Sequence, residues 1–234
     1  MSKDLGRKSS LCEKPITQHP RRLSHWLNIG QEKKIHSLID KVYSKKNLEK
    51  AWETVRKNGG AQGADKVTIG VFKENLEANL SQIHEELRVG EYKTHPLRRV
   101  YIPKAGKKDQ LRPLSIPSVR DRIVQQALTQ RLTPVFERDF DNSSFGYRPG
   151  RSPHDALCKV WREINAGSVW IVDADLRDFF GSVEHEKLMQ LVARWVSDGR
   201  VLRLIEQMLR TPVVERNKIL PTPKGTPQGG LCKA

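Results

Sequence analysis

Twelve residues in the last third of the chain constrain it most: Val-Trp-Ile-Val-Asp-Ala-Asp-Leu-Arg-Asp-Phe-Phe, positions 169–180. Five of the first six are apolar and mostly β-branched or aromatic, which predicts a short strand buried on both faces. The run then ends on carboxylates. An Asp delivered by a buried strand costs several kcal/mol to desolvate unless a cation or donor meets it, so something positive is expected at its end. Alternation puts Asp173 and Asp175 on one side of the strand, and spacing alone leaves open which of them carries the chemistry. A plainer reading has Asp175 or Asp178 starting a turn or capping a helix.

The charge balance points to the partner. Lys and Arg number 42 against 27 Asp and Glu among 234 residues, a formal charge of +15. Such a surplus repels itself in a compact state and suits a polyanion, with nucleic acid the first candidate. An anionic membrane surface is second, but the chain has no apolar run of transmembrane length, and no membrane partner is expected. The three cysteines, Cys12, Cys158 and Cys232, contain no Cys-x-x-Cys pair, which argues against a zinc site. The charged N-terminus lacks a signal-type apolar region, so a cytoplasmic location is expected.

Residues 1–30, rich in Lys, Arg, Ser and Pro, read as a loosely held basic arm. Helical spacing follows at Ile35, Leu38, Ile39 and Val42. It recurs at Leu48, Ala51, Trp52 and Val55, behind Asn47 as N-cap and ahead of Gly59-Gly60. The glycine-rich loop 58–65 lacks a preceding strand and a Gly-Lys-Ser/Thr ending, which argues for a flexible connection over a phosphate cradle. Phe72, Leu76, Leu80, Ile83 and Leu87 form the stripe of a third helix that stops at Gly90.

Residues 98–116 read as two extended runs around a basic, Gly-containing turn, a hairpin with prolines at edge positions. Its bases could keep an exposed edge soluble. Equally, a stiff ribbon carrying Arg99, Lys104 and Arg112 could grip a triphosphate, at roughly 1.5–3 kcal/mol per charge-assisted bond. Ser118-x-x-Asp121 then opens a helix with Val119, Ile123, Ala127 and Leu128 inward and Arg120, Arg122 and Arg131 outward. The loop 140–152 places Phe145 and Tyr147 beside Arg148 and Arg151, a composition that suits an unpaired nucleic-acid strand or a well-packed loop. Ser152-Pro153-x-Asp155 caps a helix expected to bury Leu157, Val160, Trp161 and Ile164. Two helices flank the turn at residues 197–199. His185, a lone histidine at a helix start, reads as packing or capping. Residues 223–230, Pro-Lys-Gly-Thr-Pro-Gln-Gly-Gly, could bring backbone close to another surface.

Asp-Leu-Arg-Asp-Phe-Phe followed by Val-Glu-His-Glu-Lys-Leu resembles the first catalytic motif of reverse transcriptases of the bacterial group II intron type. The resemblance extends from about residue 47 to residue 230 and includes, in order, the basic hairpin, the arginine–aromatic loop and Pro227-Gln228-Gly229-Gly230. It implies an α+β fold: right-hand polymerase fingers and partial palm, helix-rich with a fingers β-hairpin and an incomplete palm sheet. The implied domains are the arm 1–30, a helical N-terminal extension 31–97, fingers 98–167 and partial palm 168–234. It implies RNA-directed DNA synthesis with two Mg²⁺ ions, acting on an RNA template (intron RNA), a DNA primer and dNTP, coupled to maturase function. Asp175 is the implied catalytic residue and, with Leu176, the implied metal position. Lys104, Arg112, Phe180 and Gln228 are implied at the nucleotide, with Phe180 under the sugar. Arg99, Arg148 and Arg151 are expected nucleic-acid contacts.

Two departures stand out. Gly181 replaces a second Asp that the family usually has after the aromatic pair. The family's Tyr-x-Asp-Asp turn has no counterpart, for no Asp-Asp pair occurs in the sequence. One aspartate cannot hold both ions, so the expectation is a truncated or frameshifted reading frame, or a fragment, unable to extend a primer alone. The competing reading is a non-catalytic intron RNA-binding module.

Overall fold

The computed structural model describes residues 37–104 and 106–227. They fall into two compact units. One holds residues 136–175, and the other residues 37–135 together with 176–227.

The larger unit is built on helices α1 (Ile39–Tyr43), α2 (Lys45–Asn58), α3 (Ile69–Glu74) and α4 (Leu76–Val89). To these it adds α5 (Val119–Phe136), which ends at the unit boundary, and α7 (Phe179–Ser182), α8 (His185–Val192) and α9 (Gly199–Leu209). The expected stripes form its core: Val42, Leu48, Ala51, Trp52, Val55, Ile83, Val119, Ile123 and Val124 are buried together with Val196 and Val201. The third predicted helix is two, because the backbone breaks at Asn75 (φ −122°, ψ 42°). Asn47 is not a cap. It lies inside α2, buried, and its amide donates to the carbonyls of Val42 and Ala127, tying α2 to α5.

Three expected outward arginines are also placed differently. Arg122 is buried and donates to the carbonyls of Gly59 (3.1 Å) and Ala61 (2.9 Å). The glycine-rich loop is therefore a fixed element and not a flexible connection. Within the loop, Gly63 packs so closely on the backbone before α5 that a Cβ would stand 2.7 Å from the Ser118 Cα. Arg120 pairs with Glu86 and lies over the Tyr92 ring, and Arg131 is half-buried. Between Arg120 and Arg122, Asp121 accepts from the Tyr92 hydroxyl (2.6 Å), the Ser118 hydroxyl (2.7 Å) and the His95 amide (3.0 Å). Burial raises its carboxyl above the usual range even against these donors. This knot fixes the start of α5 to the chain entering the sheet.

The sheet has order β2–β1–β3–β4, from β1 (Leu97–Lys104), β2 (Lys107–Ile116), β3 (Val213–Glu215) and β4 (Lys218–Leu220). The predicted hairpin is β1–β2, antiparallel with Arg99 opposite Ser115 and Ile102 opposite Arg112. β3 runs parallel to β1, Leu97 opposite Val213, and β4 closes back on β3 through Arg216 and Asn217, both in the left-handed region. Tyr101 ties the two hairpins by donating to Glu215 (3.0 Å).

The smaller unit contains α6 (Pro153–Asn165), whose N-terminus is the predicted capping box: Ser152 and Asp155 satisfy each other's backbone amides behind Pro153. Its apolar stripe is not buried. Leu157, Val160, Trp161 and Ile164 are 49–68% exposed. The predicted strand after it is likewise absent: residues 169–172 are irregular and 72–92% exposed. A strand exists only by pairing its amides and carbonyls with neighbours, and no described strand pairs with this run.

Candidate functional site

The site elements in the larger unit converge where two backbone segments are stitched together. Asp178 adopts the left-handed conformation (φ 49°) and starts α7. α7 then presents the carbonyls of Phe180 and Gly181 to the loop 222–227. Thr226 donates its amide to Phe180 O (2.7 Å), and Gly225 donates to Val183 O (2.7 Å). His185 completes the stitch: its Nε2 donates to Gly225 O (2.7 Å), which settles the tautomer because a carbonyl only accepts. The Nδ1 of His185 is buried without a partner among the described residues, and the ring packs at the start of α8 as expected.

Gly225 is required by this geometry. Its φ is +87°, and a Cβ there would meet the carbonyl oxygens of Phe180 and Gly181 at 3.0 Å. Gly225→Ala is expected to cost about 1–2 kcal/mol through strain and loss of the two amide bonds. Thermal unfolding, with faster hydrogen exchange at the Thr226 amide, is the measurement. Unchanged exchange would show that the stitch does not hold.

Against the stitch lies the base of the hairpin. A cavity of about 250 Å³ is lined by Leu97, Arg99, Pro113 and Ser115 from the ribbon, and by Asp178, Gly181, Thr211, Thr222, Lys224 and Thr226. Strand alternation puts Arg99, Tyr101, Pro113 and Ser115 on the cavity face. Arg112, paired with Ile102, stands on the opposite face and is exposed. Lys104 sits after a register shift and pairs across the turn with Lys107. Phe180 is 40% exposed and meets Phe179 edge-to-face at 5.4 Å. Gln228 lies outside the described residues.

The structure thus joins Arg99, the Phe180 turn and the approach to Gln228, and puts Arg112 on the other side of the ribbon. In the smaller unit, Arg148 is buried within its own loop. It donates to Glu137 (2.7 and 3.0 Å), Asp141 O and Ser144 O, over the Phe140 ring. Arg151 donates to Asn142 O and lies over Phe145. Both therefore shape the loop. Asp173 and Asp175 are exposed in the irregular run. Lys224, Ser115 and the cavity-facing Asp178 are site residues that sequence reasoning did not single out. The Lys-Gly-Thr step before Pro227 was the available signal for the first of them.

Mg²⁺ takes near-octahedral oxygen coordination, with one or two protein carboxylates backed by other ligands. Among the described residues no three His, Cys, Asp or Glu side chains group to hold a metal ion. An exposed Asp175 alone does not fit a two-ion site. Among the same residues, no helix is long and apolar enough to cross a membrane.

Comparison with known proteins agrees with this architecture. Residues 102–232 match the family model "Reverse transcriptase (RNA-dependent DNA polymerase)", and the chain belongs to that family. It is 33% identical over 222 residues to protein YkfC of Escherichia coli, covering 92% of this chain and 58% of that protein. It is 32% identical over 185 residues to the group II intron-encoded protein LtrA of Lactococcus lactis, covering 77% of this chain and 30% of LtrA. The chain thus spans well under two thirds of the length of these relatives. A solved partial Cas6-RT-Cas1–Cas2 complex shares the fold, with a TM-score of 0.54 at 23% identity over 84% of this chain and 32% of that one.

Proposed function

We propose that the chain forms the fingers and first part of the palm of a reverse transcriptase of the group II intron maturase type, and that alone it binds RNA without polymerising. The observation that carries this reading is the basic ribbon rooted on the Phe180 turn and on the loop leading to Gln228. In this reading residues 1–30 are the arm, 31–97 the N-terminal extension, 98–167 the fingers and 168–234 the partial palm. Lys104, Arg112, Phe180 and Gln228 serve the dNTP, and Arg99 serves the RNA template and primer. Asp175 and Leu176 are one part of a Mg²⁺ position, whose remaining ligands the described residues do not contain.

The second reading is a non-catalytic intron RNA-binding module, in which the basic hairpin holds RNA without any contribution from Asp175. Both readings are tested by incubating the purified chain with a primed RNA template, dNTP and Mg²⁺. Retardation of the RNA with no primer extension is expected. Metal-dependent extension would overturn the claim that the chain is inactive alone, and absence of RNA binding would overturn both readings.

A further inference from the structure

Three charged side chains face the cavity at the hairpin base: Arg99, Asp178 and Lys224. None of them has a hydrogen bond or ion pair among the described residues. The hydroxyls beside them are committed elsewhere, Thr211 to Gln207 O and Thr222 to Thr211 O. The protons of these two hydroxyls are therefore not offered to the Asp178 carboxylate.

The position of Asp178 is built by the fold. Its left-handed backbone, which Asp tolerates better than most residues, turns the carboxylate over the bare Cα of Gly181. A Cβ at residue 181 would lie 2.5 Å from Oδ2, 2.6 Å from Oδ1 and 2.8 Å from Cγ of Asp178. Glycine at 181 is what leaves room for the carboxylate. It is held by shape, with no donor neutralising it.

A ligand for this cavity must offer an anion to Arg99 and Lys224 and a neutral hydrogen-bond donor to Asp178. Free phosphate alone would meet repulsion from Asp178. At about 250 Å³ the cavity is below the roughly 300–1,000 Å³ usual for drug-sized ligands, which suits one sugar–phosphate unit of a strand. DNA offers no donor on the sugar beside the phosphate, whereas RNA offers its 2′-hydroxyl.

We infer that this cavity is a ribose-phosphate subsite for an RNA strand, with Arg99 and Lys224 on the phosphate and Asp178 accepting from the 2′-hydroxyl. The inference rests on the RNA-binding reading above and adds a means of telling RNA from DNA.

The test is fluorescence anisotropy of the 234-residue chain with an RNA oligonucleotide, the DNA of the same sequence and the 2′-O-methyl RNA. Wild type is expected to bind RNA roughly ten-fold tighter than DNA or the methylated strand, the effect of one charge-assisted hydrogen bond. Asp178→Asn, which keeps the backbone conformation, is expected to shrink that preference to about two-fold with DNA affinity retained. Equal binding of RNA and DNA by wild type, or a preference that Asp178→Asn leaves intact, overturns the subsite. Failure to bind either strand overturns the RNA-binding reading itself, so the two failures are distinguishable.

Discussion

Raising salt from about 50 to about 200 mM is expected to weaken RNA binding by this chain roughly a hundred-fold. Five cations near the sheet and the stitched loop have no ion-pair partner among the described residues and set this magnitude: Arg99 and Arg112 on the hairpin, Arg216 and Lys218 on the second hairpin, and Lys224 on the stitched loop. About five phosphates neutralised on a single strand give a slope of log K against log salt near −3.5, since each released counterion contributes about −0.7. Several other cations are committed within the chain and do not add to it. Arg56, Arg88, Arg120 and Arg210 already pair with Glu53, Glu85, Glu86 and Glu206, and Arg122 is bound to loop carbonyls. Titration of labelled RNA at several salt concentrations measures the slope. Asp175→Asn should leave it unchanged, because that residue offers the phosphates nothing. A flat salt dependence would mean that these cations do not carry the binding, whatever the net charge of +15 suggests.

The origin of that surface shows which parts of the molecule are legible from sequence. The hairpin is, because a basic Gly-containing turn between two extended runs dictates its own pairing, and the prolines exclude the alternatives. The cap of α6 is equally local: Ser152, Pro153 and Asp155 act within one turn. Arg122 is not. By composition it is another surface cation, and only the carbonyls of Gly59 and Ala61, some sixty positions earlier, make it a structural residue. The same holds for Asn47, whose acceptor Ala127 O is eighty positions away.

The run at 169–172 fails for a different reason. Its pattern marks residues fit for a sheet, but pairing is a property of the neighbours, and none of the described strands pairs with it. The α6 stripe repeats the lesson with helical spacing. In both, periodicity identifies the face that wants cover and says nothing of whether cover is present. The site was legible in part. Arg99, Phe180 and the loop before Gln228 were singled out and do converge, whereas the placement of Arg112 on the opposite face follows from register, which one sequence does not reveal.

Asp198→Ala is expected to be the most destabilising single change outside the apolar core, at about 2–4 kcal/mol near neutral pH. The sequence offers only a turn at this position. In the fold, one carboxylate oxygen caps α9 by accepting from the amides of Arg200 (3.0 Å) and Val201 (3.3 Å). The other accepts from Leu38 and Ile39 (both 2.8 Å) at the start of α1. Four amides at two helix starts, 160 residues apart in sequence, thus depend on one side chain. Burial alone would raise its carboxyl, but the amides of Leu38, Ile39, Val201 and Arg200 outweigh that and hold it below the usual range. The sign of the pH dependence follows. A depressed carboxyl contributes stability that is present above its unfolded value, near ~3.9, and is lost as pH falls through the lower folded value. Denaturant unfolding of wild type and Asp198→Ala should therefore show a large difference at pH 7 that narrows as the pH drops below about 4. A difference that stays constant across that window would mean that the residue acts by packing and not as a charged double cap. Asp198→Asn, which keeps one acceptor oxygen but loses the charge, should fall between the two at neutral pH and show little of the acid-dependent part.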